Sequence, residues 1–508
     1  MLLIILDGVG IGPKIESNAV FLAKKPNLDR IFASPLYREL KAHGTAVGMP
    51  SDEDMGNSEV GHNALGAGRV FPQGATLASN AIESGRLFQT QTWKDAMAVK
   101  GTLHFLGLLS DGNVHSHIDH LISMIEKAAQ SGVKKVRIHI LLDGRDVDQK
   151  SALRYIEKLE NFLKKYPGYK IASGGGRMVT TMDRYNADWS IVERGWNAHV
   201  LGIGQKFQSA SEAVQSFYKD GITDQYMPSF VIDDAGIQDG DAVINFNFRG
   251  DRMIEISQAF EQTNFDKFDR KRVPNILYVG MTQYDGDLQI PKHFLVEPPA
   301  IENPIGKYLC AEKITSFAIS ETQKFGHVTY FWNGNNSGYI DPNLETYIEI
   351  PSDKIPFDQA PVMKAFEITD KTIDLLNSGK YQFGRLNFPN GDMVGHTGSV
   401  EATVASIEAT DHCVGLLVNT VNALGGISVI LADHGNADEM FVTKDGIRLA
   451  KTSHTLNPVP FVIVDQHNSN YRLRQLSTAG LANVAATLCN LLGFEAPAEY
   501  EPSLIEPV

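Results

Sequence analysis

Short apolar runs that stop at an aspartate constrain this chain more than any other feature of its sequence. Leu2–Leu6 runs into Asp7-Gly8, and Leu103–Leu109 into Ser110-Asp111-Gly112. Val136–Leu142 runs into Asp143-Gly144-Arg145-Asp146, and residues 427–431 into Ala432-Asp433-His434-Gly435. Further apolar runs of strand length lie at 242–246, 276–280 and 460–464, with longer helix-like stretches between them. This alternation predicts α/β architecture with largely parallel sheets, buried on both faces. Open parallel sheets place their sites beyond the carboxyl ends of the strands. A single Asp-Gly there is explained by a tight turn. Four strand ends carrying Asp, His or Arg point to chemistry.

A chain of 508 residues is too long for one ordinary core and predicts about two to four domains. Two seams rich in turn formers suggest where they divide: Arg69-Val70-Phe71-Pro72-Gln73-Gly74, and Tyr284-Asp285-Gly286 through Leu295-Val296-Glu297-Pro298-Pro299. As hinges, they make 74–290 an inserted domain within a parent domain of 1–73 and 291–508. Residues 157–165 read as a helix with one solvated face. The composition, 43% hydrophobic and 21% charged, is that of a soluble globular protein. A net charge of −14 argues against a nucleic-acid or membrane-surface binder, but leaves room for a small anion in a local basic pocket. Cys310, Cys413 and Cys489 are widely spaced and odd in number, so a reducing compartment is expected. Asp7 interrupts the opening apolar run and no basic residues precede it, which predicts a buried strand and not a signal peptide. The sequon Asn335-Asn336-Ser337 carries little weight without a secretory signal.

Three groups of residues carry chemistry. The first surrounds Ser58, in Met55-Gly56-Asn57-Ser58-Glu59-Val60-Gly61-His62, ahead of a helix-like stretch at 63–69. Ser58 reads either as an N-cap or as a nucleophile at a positive helix end, where a phosphoryl group is welcome. Gly56 and Gly61 would let a phosphoryl group and a metal ion approach closely. The second group is Asp392 and His396, four apart in sequence, with Asp433-His434 at a strand end and His454 after Lys451-Thr452-Ser453. Each alone also reads as a surface pair, a turn or a surface histidine. With Asp7 they supply three Asp and three His, an oxygen and nitrogen ligand set suited to Mn²⁺, Zn²⁺ or Mg²⁺, and large enough for two ions. The third is basic: His115, Arg145 beside Asp146, Arg177 after Gly174-Gly175-Gly176, Arg184, Arg249 and Arg252. Arginine forks match carboxylate and phosphate oxygens two at a time, so this set predicts a pocket for a small, multiply charged anion. The triple glycine is similar to a phosphate-cradling loop but lacks the GxxxxGK[ST] pattern.

The ordered motifs identify a resemblance that runs nearly end to end. They are LDGVG at 6–10, MGNSEVGHNALGAGR at 55–69, SDGNVHSH at 110–117, LDGRDV at 142–147 and GGGRMVTTMDRY at 174–185. NFNFRGDR at 245–252, SETQKFGHVTYFWNG at 320–334, NGDMVGHTG at 390–398, ADHGNAD at 432–438 and TSHTLNPVP at 452–460 follow. The chain resembles the cofactor-independent (2,3-bisphosphoglycerate-independent) phosphoglycerate mutases of the alkaline phosphatase superfamily. The resemblance implies a discontinuous phosphatase-like metal domain with an inserted substrate-binding α/β domain. It implies interconversion of 3- and 2-phosphoglycerate through a phosphoserine on Ser58, with two divalent ions and no bisphosphoglycerate.

Asp392, His396 and His454 would hold one ion; Asp7, Ser58, Asp433 and His434 would hold the other. Mn²⁺ is the expected metal, with Mg²⁺, Co²⁺ and Zn²⁺ compatible. His115, Arg145, Asp146, Arg177, Arg184, Arg249 and Arg252 would bind phosphoglycerate, Asp146 would move protons, and Lys324 would sit near the phosphoryl group between the domains. The family expectation is a cytoplasmic monomer without nucleic-acid or membrane partners. A phosphatase or phosphodiesterase of the same superfamily is the alternative. Val9 and Gln323 depart from the commoner Trp and Glu of the family, the span from Arg177 to Arg184 is one residue longer than in many bacterial members, and His62 is left without a role.

Overall fold

The computed structural model describes the whole chain except residues 50, 51, 73, 185, 186, 234, 285–288, 298–300, 445, 446, 468 and 469. Parts of both expected seams (residue 73; residues 285–288, 298 and 299) and the last residue of the GGGRMVTTMDRY motif therefore lie outside the described residues. The chain divides into two compact units, Met1–Gln73 with Ala300–Val508, and Gly74–Pro299. The expected break after residue 290 moves to residue 299, because the strand His293–Phe294 pairs in parallel with Val279 and Gly280.

The first unit is built on a seven-stranded sheet. Its order is Glu345–Ile350, Ser316–Glu321, Phe383–Phe388, Leu2–Leu6, Ser428–Leu431, Val459–Val464 and Tyr37–Leu40. The first five strands are parallel, and the last two join antiparallel. Leu2–Leu6 lies near the middle with every residue buried, as a strand covered on both faces requires. Phe383–Phe388 was hidden in the sequence by Gly384, Asn387 and Arg385, the last a cation inside a wholly buried strand. Its guanidinium lies 5.3 Å from the Trp332 ring and 5.4 Å from that of Tyr347, where aromatic faces replace water.

The second unit carries an eight-stranded sheet ordered His293–Phe294, Leu277–Gly280, Ala242–Asn245, Leu103–Leu109, Val136–Leu142, Tyr169–Gly176, Phe230–Val231 and Gln205–Lys206. The six strands from His293–Phe294 to Tyr169–Gly176 are parallel. The helix expected around 157–165 spans Ala152–Leu163 and buries Tyr155, Ile156, Leu159 and Leu163. Gly174-Gly175-Gly176 ends a strand and does not form an anion-binding loop. A Cβ there would meet Phe230, the Thr180 hydroxyl or the Asp224 carbonyl at 2.5 Å or less, so the glycines permit tight packing.

The helix that opens with Ser58 spans Ser58–Ala67 and lies against the helical turn His327–Phe331. Gly66 makes that approach possible, since a Cβ there would stand 2.0 Å from the Trp332 carbonyl. Gly66→Ala should therefore destabilise the protein by about 1–3 kcal/mol through overpacking. Urea unfolding followed by tryptophan fluorescence measures this, and an unchanged midpoint would contradict it.

Candidate active site

In the first unit, four loops at carboxyl ends of the sheet converge on Ser58. Asp7 follows Leu2–Leu6, and Asp433 and His434 follow Ser428–Leu431. Asp392 lies in the short helix Asn390–Gly395 after Phe383–Phe388, with His396 at its end, and Lys324 lies in Thr322–Gly326 after Ser316–Glu321. His454 precedes Val459–Val464. The helix cap belongs to Asn57, whose side chain accepts from the Val60 N–H at 3.1 Å. Ser58 is thus the first helical residue, and its hydroxyl is free of capping duty. Instead, Ser58 Oγ lies 3.2 Å from Asp7 Oδ1 and 3.0 Å from His434 Nε2, and accepts a short hydrogen bond from Lys324 Nζ.

The donor set fits divalent cations. His454 Nδ1 faces the Gly56 carbonyl at 2.7 Å, His396 Nδ1 that of Thr452 at 2.5 Å, and His434 Nδ1 that of Gly435 at 3.2 Å. Backbone acceptors on Nδ1 turn each Nε2 inward as a ligand atom. His396 Nε2 and His454 Nε2 are 3.1 Å apart, and stand 2.9 and 3.2 Å from Asp392 Oδ1. Asp392, His434 and His454 form one compact cluster of ligand atoms, and Asp7, Asp433 and His434 another. His396 joins the first cluster through Asp392, and Ser58 the second through Asp7 and His434.

Three buried carboxylates face one ammonium here. Lys324 Nζ lies 2.9 Å from Asp7 Oδ1 and 2.8 Å from Asp392 Oδ2. Burial pulls the His434 imidazole down, but Asp433, Asp7 and Asp392 outweigh it and push it up to about 9. A site with that much uncompensated negative charge calls for cations.

The structure also gives His62 a place, and adds Asn387 and Asn436. His62 Nδ1 is 2.8 Å from the Ser58 carbonyl and 3.4 Å from Asp433 Oδ2. Asn387 donates to Asp7 Oδ2 at 2.8 Å and lies 3.3 Å from His62 Nε2, while Asn436 donates to Asp392 Oδ1 at 3.2 Å. These side chains orient the carboxylates. A Cβ on Gly61 would stand 2.9 Å from the Asp433 carbonyl, so this glycine lets the metal loop close on the helix. Gly56 likewise abuts the Ala42 carbonyl, at 2.0 Å from where its Cβ would be.

The second unit gathers all seven residues of the predicted anion pocket, and each is at most 6% exposed. Two aspartates organise them: Asp143, marked in the sequence only as a strand end, and Asp251, which sequence reasoning missed. Asp251 accepts from Arg184 at 3.0 Å and pairs with Arg249 Nε at 3.2 Å. Asp143 accepts from Arg177 at 2.8 Å and from Ser110 Oγ at 2.6 Å, and Asp146 also pairs with Arg177. Arg177 Nη2 donates to His115 Nε2 at 2.5 Å. Burial, then Arg177, Arg249, Arg252 and Arg184, hold the His115 imidazole well below its usual range, so it is neutral. Burial and the neighbouring Arg184, Arg145 and Arg177 also lower Arg252, the mark of crowded positive charge. The five guanidiniums outnumber the three carboxylates paired with them, which suits the pocket to an anion. The signal that could have found Asp251, and given Asp143 its role, is their place beside arginines, in LDGRD and RGDR.

A fold with these sites is that of a metal-dependent enzyme, and the sequence pattern of the Metalloenzyme superfamily matches residues 1–496. Within that superfamily, the chain belongs to the 2,3-bisphosphoglycerate-independent phosphoglycerate mutases. It is 55% identical to the probable enzyme of that name from Leptospira interrogans, over 100% of this chain and 97% of that one. It is 52% identical to the Trypanosoma brucei brucei enzyme, again over 100% and 97%. A crystal structure of Leishmania mexicana phosphoglycerate mutase at low cobalt concentration superimposes with a TM-score of 0.97 at 49% identity, covering 100% of this chain and 97% of that chain.

Asp251 offers a test of the charge balance. Burial raises its carboxyl, but Arg249, Arg184 and Arg252 outweigh this and hold it at about 2. A depressed carboxyl stabilises the fold above its unfolded pKa of about 3.9 and loses that contribution as pH falls toward the folded value. Asp251→Asn should cost about 3 kcal/mol at pH 7. The gap from wild type in urea midpoint should narrow as pH falls below about 4; a gap that widens would refute the assignment.

Proposed function

We propose that the chain interconverts 3-phosphoglycerate and 2-phosphoglycerate through a phosphoserine on Ser58, without a bisphosphoglycerate cofactor. The observation that carries this reading is Ser58 Oγ, released from capping and bonded to Lys324, Asp7 and His434. An ammonium bonded to a serine hydroxyl favours its alkoxide, the form that attacks phosphorus. Lys324 then neutralises charge that develops on the transferring group. Asp392, His396 and His454 would hold one divalent ion, and Asp7, Ser58, Asp433 and His434 the other, with Mn²⁺ our assignment for this hard and borderline donor set. When bound, the ions supply Lewis-acid stabilisation to the phosphoryl oxygens and lower the serine pKa.

Arg145, Arg177, Arg184, Arg249 and Arg252 bind the carboxylate and phosphate oxygens of phosphoglycerate and retain glycerate after the phosphoryl group has left it. Glycerate reorients, and its other hydroxyl takes the phosphoryl group back from Ser58. Asp146 gives a proton to the glycerate oxygen that the phosphoryl group leaves and takes one from the hydroxyl that receives it. His115 suits that task less well, because a neutral imidazole has one accepting nitrogen and Arg177 engages its Nε2, whereas Asp146 meets Arg177 with one of two carboxylate oxygens. Water must be excluded while phosphoserine stands, or hydrolysis replaces isomerisation. The working form is proposed to be a cytoplasmic monomer. No helix among the described residues is long and apolar enough to cross a membrane.

The test is 3-phosphoglycerate with metal-replete enzyme and no bisphosphoglycerate. The reading expects 2-phosphoglycerate; inorganic phosphate alone would make the chain a hydrolase. Ser58→Ala should lower turnover at least about 1,000-fold while still binding phosphoglycerate in calorimetry. Near-normal turnover would exclude the serine route. Chelation should abolish activity, and Mn²⁺ should restore it and raise the melting temperature; metal analysis of protein purified without added metal checks the ion itself.

A further inference from the structure

A file of six buried polar side chains crosses the sheet of the Gly74–Pro299 unit. His104 Nε2 is 3.0 Å from Asp241 Oδ2, and His104 Nδ1 is 2.9 Å from His139 Nε2. His139 Nδ1 is 2.7 Å from Ser173 Oγ, which is 2.7 Å from His199 Nδ1, and His199 Nε2 is 2.9 Å from Thr181 Oγ1. None of the six is more than 4% exposed.

One carboxylate fixes the direction of every bond in the file. Asp241 also accepts the backbone N–H groups of Thr102 and Gln238, at 2.6 and 2.8 Å, so its oxygens face donors alone. Burial holds His104, His139 and His199 below the usual imidazole range, the last at about 3, so each ring has one N–H. His104 must spend its proton on Asp241, which leaves Nδ1 to accept from His139 Nε2–H. His139 Nδ1 then accepts from Ser173 O–H, Ser173 from His199 Nδ1–H, and His199 Nε2 from Thr181 O–H.

Thr181 is where the file meets the anion pocket. Its φ of 70° is rare for a β-branched residue, which needs its surroundings to hold it there. The Asp183 N–H donates to the Thr181 carbonyl at 3.0 Å, and the next carbonyl, of Met182, accepts Arg252 Nη1 at 2.8 Å. Two residues further, Arg184 pairs with Asp251. The backbone turn at Thr181 thus sets both arginines.

We propose that Thr181, pinned through His199 by the Asp241-directed relay, is a positioning residue for Arg184 and Arg252. The proposal rests on the assignment of those arginines to phosphoglycerate. Thr181→Val keeps the shape and removes the hydroxyl. It should raise KM for 3-phosphoglycerate about tenfold, with kcat within about twofold of wild type. Thr181→Ser, which keeps the hydroxyl, should restore KM.

Arg184→Ala is the control: if it leaves KM unchanged, the substrate assignment fails. If Arg184→Ala raises KM while Thr181→Val, with an unaltered circular dichroism spectrum, does not, the positioning role is overturned. A second readout is independent of activity. Imidazole ¹⁵N spectra of the wild-type protein should show His104 and His139 protonated on Nε2 and His199 on Nδ1. His199 protonated on Nε2 would overturn the relay.

Discussion

Lys324 places one ammonium within hydrogen-bond reach of Asp7, Asp392 and Ser58, and the order of the surrounding loops depends on it. The loops after Leu2–Leu6, Phe383–Phe388 and Ser428–Leu431 each bring a buried carboxylate toward the same point. Buried like charges raise each other's pKa and drive one another toward the neutral form. Neighbouring imidazoles reverse that, His396 for Asp392 and His434 with His62 for Asp433, and the Lys324 ammonium adds to both, so each carboxyl is held below the usual carboxylate range despite burial. Lys324 is thus part of the scaffold of the ligand set as well as a neighbour of the nucleophile.

The second unit solves the mirror-image problem. There the crowded charges are guanidiniums, and Asp143, Asp146 and Asp251 keep them apart and aimed. A buried charge pair adds little net stability when compared with packed apolar groups. These pairs are better understood as devices of geometry, since a planar guanidinium anchored on one edge by a carboxylate presents its other edge in a fixed direction.

Much of this was legible in the sequence because one physical pattern was little interrupted. Leu2–Leu6 is apolar throughout, Leu103–Leu109 but for His104, and Val136–Leu142 keeps five apolar residues around Arg137 and His139; the structure has all three with the bounds expected. Phe383–Phe388 and Tyr169–Gly176 were missed because Gly384, Arg385 and Asn387 leave the first only three apolar residues and a triple glycine ends the second. What allows each to be a strand is non-local: the rings of Trp332 and Tyr347 in one case, and close backbone packing in the other. Ser58 shows the same limit. Sequence alone could not decide between cap and nucleophile, since Asn57 and Ser58 are both good caps. Tertiary structure gives the cap to Asn57 and supplies Ser58 with polar neighbours from positions 7, 324 and 434. Asp251 escaped notice for a further reason. A carboxylate beside arginines reads as an ordinary ion pair until burial shows that it has several cations to hold.

Each unit therefore carries an imbalance that its own residues leave unresolved. Around the nucleophile Asp7, Asp392 and Asp433 exceed Lys324 in charge, and in the anion pocket five arginines exceed Asp143, Asp146 and Asp251, the carboxylates paired with them. Neutralising either excess with another side chain would stabilise the fold, and would also fill the coordination positions and hydrogen-bond directions that ligands need. Active sites are commonly kept short of their stability optimum in this way. The sign of each deficit is informative, because an excess of buried carboxylate selects for cations and an excess of guanidinium selects for a compact polyanion. A single chain with one deficit of each sign, and a serine hydroxyl beside the first, matches the needs of metal-assisted phosphoryl transfer more closely than either cluster does alone.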